Sequence, residues 1–210
     1  MRTYTLKEFR NLTTNITFFP VMVVGEVGSG KTHLLKELCQ AHSGAVYVNA
    51  YTLGNTICRA VAQENPRLLH PYTNAPLLAV DNLELLAGRE EIQKSVISLL
   101  QTLQGQGGAM VLASASHNRL NGFLEGMEKA FPQFTVVNME TPTQQELTAY
   151  ALQEFQKRNL PVPLAAVTLL GQKAKHYRHV NGIVANAELA HTLGQTIDKH
   201  WMVRQLSLLD

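Results

Sequence analysis

The stretch Gly25-Glu26-Val27-Gly28-Ser29-Gly30-Lys31-Thr32 decides the fold of this 210-residue chain. It matches GxxxxGK[ST], the pattern of a phosphate-binding loop, or P-loop. The apolar run 18–24 precedes it, and residues 32–41 follow it with apolar side chains at helical spacing. A strand before the loop and a helix after it are the context that the pattern requires. The stretch therefore predicts backbone N–H groups gathered around a phosphate at the N-terminus of a helix.

The side chains of this loop predict a nucleotide with its metal, ATP or ADP with Mg²⁺. Lys31 is placed to reach the β and γ phosphates, and the Thr32 hydroxyl is placed to bind Mg²⁺. An ordinary glycine turn is the alternative, and the flanking strand and helix disfavour it. The predicted nucleotide-binding residues are Gly25, Glu26, Val27, Gly28, Ser29, Gly30, Lys31, Thr32 and His33.

A second apolar run, residues 77–80, ends in the carboxylate of Asp81. An acid at the end of such a strand holds Mg²⁺ beside the P-loop threonine, so we predict Thr32 and Asp81 as the metal residues. Asn82 follows where a second acid would polarise an attacking water, and an amide is a poor general base. Glu84 is a possible substitute; on a continuing strand it would face the same side as Asn82.

Short apolar runs alternate with helical patterns along most of the chain, which is typical of a parallel sheet covered on both faces. The predicted strands are 18–24, 45–49, 77–80, 109–113 and 134–138, and the predicted helices between them are 32–41, 53–64 and 90–103. After residue 142 the pattern is helical only, at 144–158, 163–176 and 182–199. We predict an α/β P-loop NTPase domain (1–142), a small C-terminal helical lid (143–200) and a tail (201–210) without a helical stripe.

Composition excludes several functional classes. The chain has 18 Lys and Arg residues and 16 Asp and Glu residues, which gives a formal charge of +2. This charge is too balanced for a protein that functions mainly by binding nucleic-acid backbones. Nucleic-acid contact is therefore possible but indirect. No apolar run approaches the roughly 18 residues that span a bilayer, and residues 1–15 lack the apolar core of a signal peptide. We expect no membrane partner and a cytoplasmic location.

Three segments together resemble the bacterial replication initiator DnaA and its regulatory relative Hda, which are AAA+ proteins. They read GEVGSGKTHLLKEL, AVYVNAYTLGNTICRAV and LLAVDNLELLAGREE, and the resemblance extends from about Pro20 to His191. The pairing Asp81-Asn82 is closer to Hda, because the initiators usually carry two acids there. The resemblance implies an AAA+ fold with a lid, a regulatory role in bacterial replication near the nucleoid, and DnaA or another AAA+ protein as partner.

Three positions that stabilise charge in the resembled family differ in this chain. The sensor 1 position falls on Ala115, between Ser114 and Ser116, and the arginine-finger position falls on Ala130. The sensor 2 position falls on Asn181, with Arg178 one turn earlier and Lys129 beside the finger position. Removing one such group costs roughly 10² to 10⁵ in rate. We therefore expect nucleotide binding with weak or no hydrolysis, with Lys31, Asp81 and Asn82 as the catalytic candidates.

The last residues, Gln205-Leu206-Ser207-Leu208-Leu209, resemble the peptide that docks on the DNA polymerase III β sliding clamp. An extended tail would place its leucines in an apolar pocket and its glutamine in oriented polar contacts. The alternative is a leucine-rich end that packs onto the core of the lid.

Other functions stay open on the sequence. A secretion-type or pilus ATPase is disfavoured by the LAG segment and the tail. One alternative is an active ATPase of the DnaC/IstB type that serves as a helicase loader or transposition ATPase, in which Glu84, Lys129 and Arg178 take the altered roles. The other is a structural partner module whose P-loop binds no nucleotide.

Overall fold

The computed structural model describes residues 20–115 and 120–207, together with the backbone of residues 2–4. Within these residues the sheet has six strands, all parallel, in the order β1-β6-β2-β5-β4-β3. The strands are β1 (Arg2–Tyr4), β2 (Val21–Val24), β3 (Val46–Asn49), β4 (Leu77–Asp81), β5 (Ala109–Ser114) and β6 (Thr135–Met139). The predicted α/β class with a parallel sheet is confirmed.

Both faces of the central strands are buried, which explains their continuous apolar sequences. Alternate residues such as Met22, Val80 and Leu112 belong to one core cluster. The intervening residues Val23 and Val111 are also fully buried. A strand with water on one face would alternate apolar and polar residues instead.

The helices of the sheet-containing part begin and end close to the predicted limits where the apolar pattern is strong. They are α1 (Lys31–Ala41), α2 (Ala50–Ala62), α3 (His70–Thr73), α4 (Glu90–Gly105) and α5 (Asn121–Ala130), with 3₁₀ turns at Pro66–Leu69 and Leu83–Leu86. Helix α2 begins three residues before its predicted start, because the Asn49 side chain accepts a hydrogen bond from the Tyr51 N–H and caps it. Helices α3 and α5 and strand β1 were not predicted.

The chain divides into two compact units. The first comprises residues up to Glu26 and residues 30–140, and the second comprises residues 27–29 and the chain from Thr141 onward. The second unit contains α6 (Gln144–Lys157), α7 (Leu164–Lys173), α8 (Tyr177–Thr192) and α9 (Lys199–Ser207). Helix α6 starts with a capping box, in which Thr143 and Glu146 satisfy each other's backbone N–H groups.

The end of the chain differs from the prediction. The helix predicted at 182–199 runs instead from Tyr177 to Thr192, and Gly194 follows in a left-handed conformation with φ 76°. The expected tail without a helix is wrong for residues 201–207, which belong to α9. Trp201 and Met202 are buried in this helix, and two buried positions make too short a stripe to detect in a sequence.

Within residues 20–115 and 120–207, no helix combines the length and the apolar character that crossing a membrane requires.

Candidate nucleotide-binding site

The P-loop runs from the end of β2 to the start of α1. The N–H of Gly25 donates to the Ser114 carbonyl at the end of β5, 3.3 Å away. Gly28 and Gly30 have φ values of 86° and 105°, a region that side chains with a Cβ rarely adopt. The two left-handed residues turn the chain sharply, and Gly30 is the N-cap of α1. The loop therefore brings its backbone to a helix N-terminus, where N–H groups bind anions.

Lys31 is nearly buried, with 7% of its surface exposed. Its Nζ donates to the carbonyl oxygens of Gly25, at 2.5 Å, and Glu26, at 2.7 Å. These contacts hold the ammonium group against the first two residues of the loop. A cation so placed is the point charge that a P-loop uses against phosphate oxygens.

Asp81 lies at the end of β4 and is fully buried. Its Oδ2 accepts hydrogen bonds from Thr32 Oγ1, at 2.7 Å, and from the Tyr47 hydroxyl, at 2.8 Å. Its Oδ1 accepts the backbone N–H of Asn82, at 2.9 Å. The structure thus brings together the two residues predicted for the metal, and it adds Tyr47, which was not predicted. Only knowledge that β3 lies beside β4 identifies Tyr47 as a neighbour of Asp81.

Tyr47 is held as a hydrogen-bond donor in this cluster. Partial burial raises the pKa of the Tyr47 phenol, and the hydrogen bond to the Asp81 carboxylate raises it further. The hydroxyl therefore keeps its proton across the ordinary pH range. The Lys36 ammonium lies 5.5 Å from the centre of the Tyr47 ring, within the range of a cation–π contact.

Glu84 does not lie on a continuation of β4, so the condition under which it would face the same side as Asn82 is not met. Strand β4 ends at Asp81, and Glu84 lies in the following 3₁₀ turn. Its Oε2 accepts hydrogen bonds from Ser114 Oγ and the Ala115 N–H, both at 3.0 Å. Glu84 therefore holds the end of β5 next to Ala115, the residue predicted for the sensor 1 position. Ser116 lies outside the described residues.

Asn82 has a left-handed backbone, with φ 57° and ψ 47°. Asn tolerates this conformation better than most residues with a Cβ, and it lets the chain turn from β4 into the 3₁₀ turn. The left-handed backbone therefore explains why an asparagine follows Asp81. The amide of Asn82 is a poor general base.

In the second unit, the loop residue Gly28 contacts the start of α8. The Tyr177 N–H donates to the Gly28 carbonyl at 3.2 Å, and a Cβ on Gly28 would lie 2.5 Å from His176 Cβ. His176 caps α8, because its Nδ1 accepts the His179 N–H at 3.0 Å. Glycine at position 28 is thus required by close approach as well as by its positive φ.

The residues predicted for the arginine-finger and sensor 2 positions lie mostly at the surface of their own units. Asn181 is exposed on α8, and its Oδ1 accepts a hydrogen bond from the Tyr150 hydroxyl at 3.0 Å. Arg178 is also exposed. Ala130 is the last residue of α5, half-buried, and Lys129 is exposed beside it.

His33 lies in the first turn of α1, and its side chain contacts the next turn of the same helix. Its Nε2 lies 3.1 Å from Glu37 Oε1, one turn later. The ring is thus part of a surface pair on α1.

The predicted clamp-binding residues fall partly in α9. The Gln205 Oε1 accepts a hydrogen bond from Asn186 Nδ2 at 3.0 Å, and Ser207 Oγ donates to the Arg204 carbonyl at 2.9 Å. Leu206 is half-buried. Leu208 and Leu209 lie outside the described residues. The segment up to Ser207 is therefore helical here, and the expected extended conformation is wrong for it.

The first unit contains the donor set that Mg²⁺ prefers, which is a small number of hard oxygen ligands. The Thr32 hydroxyl donates its proton to Asp81 in a hydrogen bond, so its oxygen lone pairs remain available to a cation. The Asp81 carboxylate supplies the negative charge beside it. These residues fit the metal that accompanies a nucleotide.

Comparison with known proteins identifies the family to which the chain belongs. The sequence profile described as "Bacterial DnaA ATPAse domain" matches residues 7–134. The chromosomal replication initiator protein DnaA of Roseiflexus castenholzii is 24% identical over 172 residues, which cover 78% of this chain and 36% of that protein. DnaA of Aquifex aeolicus is 25% identical over 171 residues, covering 78% and 42%. The chain thus spans about two fifths of the length of these curated relatives.

Solved structures share the fold at lower identity. Domain III of the Thermotoga maritima replication initiation protein DnaA has a TM-score of 0.80 and 17% identity, covering 94% of this chain and 87% of that one. AMPPCP-bound DnaA from Aquifex aeolicus has a TM-score of 0.70 and 20% identity, covering 87% and 60%. The Thermotoga maritima RuvB Holliday junction branch migration motor has a TM-score of 0.63 and 15% identity, covering 98% and 72%.

Proposed function

Because the chain belongs to the family of bacterial DnaA ATPase domains, we propose that it is an Hda-like AAA+ regulator of bacterial DNA replication that binds ATP or ADP. The observation that carries the proposal is the 2.7 Å hydrogen bond between Thr32 Oγ1 and Asp81 Oδ2 beside the P-loop. A P-loop threonine bonded to a buried strand-end carboxylate is the arrangement that a magnesium nucleotide requires. The proposed place of action is the bacterial cytoplasm, at the nucleoid.

The nucleotide phosphates would bind at the loop 25–30 and at the N-terminus of α1. Lys31 would supply the point charge, and Thr32 and Asp81 would hold Mg²⁺. A bound Mg²⁺ neutralises charge on the phosphate oxygens. DnaA structures have been solved with AMPPCP, a nucleotide analogue, which supports a nucleotide at the same loop here.

We propose that hydrolysis is weak or absent because the groups that would drive it are engaged or replaced. Glu84 accepts two hydrogen bonds from the end of β5. Asn82 stands where a second acidic residue would follow Asp81, and the Asn181 side chain accepts a hydrogen bond from the Tyr150 hydroxyl. Neither an unengaged carboxylate nor a guanidinium is at these positions. Nucleotide would then act mainly as a ligand that stabilises one state of the protein.

The proposed partners are DnaA, or another AAA+ protein, and the β sliding clamp. The clamp proposal rests on the sequence of residues 205–209 and has to account for the helical state of Gln205. Because Asn186 holds the Gln205 side chain, docking in an extended form would require the last turn of α9 to unwind. Replacing Asn186 by Ala should then strengthen clamp capture, whereas replacing Gln205 and Leu206 by Ala should abolish it. Failure of the unchanged chain to capture the clamp would remove this partner.

The experiment that tests the main proposal measures nucleotide binding and turnover on the same sample. We expect the purified chain to bind a fluorescent ATP analogue, to turn over ATP negligibly, and to change the rate at which added DnaA hydrolyses ATP. Turnover by the chain alone that rises with single-stranded DNA would favour the helicase-loader function instead. Absence of nucleotide binding would favour a structural partner module.

A further inference from the structure

We propose that Tyr47 is a positioning residue for Asp81 and sets the Mg²⁺ dependence of nucleotide binding. This inference rests on the proposed function, because it concerns the same site. Tyr47 lies outside the P-loop motif and outside the strand that ends in Asp81. It reaches the carboxylate from the neighbouring strand.

The register of the sheet places Tyr47 within reach. Strands β3 and β4 are parallel, with Tyr47 opposite Ala79 and Asn49 opposite Asp81. The phenol therefore has to extend along the strand direction to reach Asp81, and its length suits that span. Its hydroxyl ends 2.8 Å from Asp81 Oδ2.

The hydrogen bonds divide the two carboxylate oxygens into different roles. Each carboxylate oxygen accepts about two hydrogen bonds. Among the donors that the described part of the chain supplies, Oδ2 receives two, from Thr32 and Tyr47, whereas Oδ1 receives one, from the Asn82 N–H. The hydrogen bond from Tyr47 thus fills the acceptor capacity of Oδ2. The acceptor capacity that remains on the carboxylate lies on Oδ1. With Tyr47 in place, the orientation of the carboxylate is fixed by donors from three different elements.

Burial makes this orientation matter. Asp81 is fully buried, so water cannot replace a missing donor at little cost. Without the Tyr47 hydroxyl, Oδ2 would keep only Thr32, and the carboxylate would gain freedom to rotate. The Thr32 hydroxyl would still donate to Asp81, but its oxygen would be held less firmly in the orientation that offers its lone pairs to a cation. Groups that orient a metal ligand in this way typically change metal affinity by about 10- to 100-fold when removed.

A purely structural role for Tyr47 makes a different prediction. If the ring only fills space between α1 and the sheet, removing its hydroxyl leaves packing intact and alters binding equally with and without metal. The ratio of two dissociation constants separates these cases. We define it as the dissociation constant of mant-ADP in EDTA divided by that in saturating Mg²⁺.

The test compares the unchanged chain with Tyr47→Phe, Asp81→Asn and the double variant. We expect Tyr47→Phe to lower the ratio about tenfold while leaving the dissociation constant in EDTA nearly unchanged, and to lower the melting temperature modestly because the buried Asp81 carboxylate loses a donor. In the Asp81→Asn background, Tyr47→Phe should have no further effect on the ratio. Tyr51→Phe is the matched control, because it makes the same chemical change on an exposed tyrosine in α2, and it should leave the ratio unchanged.

The outcomes separate this inference from the proposed function. If the unchanged chain binds mant-ADP with a clear metal dependence and Tyr47→Phe preserves the ratio, the inference is wrong and the proposed function stands. An equal further drop in the Asp81→Asn background would also overturn it, since Tyr47 would then act independently of Asp81. If the unchanged chain binds no mant-ADP in either condition, the proposed function fails and the inference with it.

Discussion

Thr32 donates a hydrogen bond from Oγ1 to Oδ2 of Asp81 over 2.7 Å, although 49 positions separate the two residues in the sequence. Thr32 lies in the first turn of α1, which follows β2, and Asp81 ends β4. Strand β5 lies between β2 and β4 in the sheet. Parallel strands present their carboxyl ends at one edge, where ligands of open α/β sheets bind. The bond is therefore a direct product of the strand order.

Removing the Thr32 hydroxyl should weaken both the fold and the metal dependence of nucleotide binding. Thr32→Val keeps the shape but leaves Asp81 with one donor fewer in a fully buried position. We expect the free energy of unfolding to fall by about 1–2 kcal/mol, measured by urea denaturation. Thr32→Ser keeps the hydroxyl and is the control. Equal stability of the Val and Ser variants would contradict the assigned role of the bond.

Gly28 should tolerate no side chain. Its φ of 86° costs a residue with a Cβ about 1–2 kcal/mol, and the new Cβ would also lie 2.5 Å from His176 Cβ. Gly88 is a matched control, because it has φ 73° but no atom within 4 Å of the place where a Cβ would lie. Gly28→Ala should therefore destabilise the protein more than Gly88→Ala in thermal denaturation. A smaller effect at Gly28 than at Gly88 would show that the contact with His176 is wrong.

Two helical glycines of the second unit should respond to alanine with opposite signs. A Cβ on Gly171 of α7 would lie 2.6 Å from Thr148 Cα, a backbone atom of α6, so Gly171→Ala should cost about 1–3 kcal/mol. Gly182 of α8 has open space around the same position. Gly182→Ala should therefore gain up to about 1 kcal/mol from helix propensity. Chemical denaturation measures both, and a stabilising Gly171→Ala would contradict the close packing of α6 on α7.

Glu154 should stabilise the second unit in a pH-dependent way. Burial alone would raise the pKa of Glu154, but hydrogen bonds from Lys157 and Arg158 at 2.9 Å outweigh it and lower the pKa below its usual 4.5. A lowered pKa in the folded state means that this stability is present above about pH 4.5 and is lost as the pH falls through the folded value. Glu154→Gln should cost about 1–2 kcal/mol at pH 7.

The matched control for Glu154 is an exposed pair of the same spacing. Glu91 and Lys94 are 2.7 Å apart with most of both side chains in solvent, and such pairs contribute little. Glu91→Gln should leave the unfolding midpoint unchanged. The cost of Glu154→Gln should shrink as the pH falls below about 4.5, and a cost that stays constant on this acidification would contradict the assignment.

The sheet could be predicted from the sequence because its buried strands are continuous apolar runs, as in 77–80 and 109–113. Both strands extend one polar residue further, to Asp81 and Ser114. Asp81 accepts the Thr32 hydroxyl, and the Ser114 carbonyl accepts the Gly25 N–H at the start of the P-loop. The helix at the end of the described chain, α9, could not be predicted in this way, because it buries only Trp201 and Met202. Two adjacent buried residues do not produce the repeating apolar spacing that indicates a helix.

The candidate site was only partly predictable for a related reason. The P-loop and Asp81 carry local signals, a motif and a strand ending in an acid. The hydrogen bonds of Tyr47 to Asp81 and of Glu84 to Ser114 join residues 34 and 30 positions apart. They depend on strand order and on where β4 ends. Neither feature is encoded in a pattern of neighbouring residues.

The central claim is that the loop 25–32 binds a nucleoside di- or triphosphate, and a thermal melting scan with Mg²⁺ and ADP or ATP tests it most directly. At a ligand concentration of about 100 times Kd, we predict a stabilisation of about 2.7 kcal/mol and a corresponding rise in Tm for the unchanged chain. Lys31→Ala, which removes the point charge of the loop, should melt without this rise. An unchanged Tm for the folded, unaltered chain at millimolar nucleotide would contradict the claim.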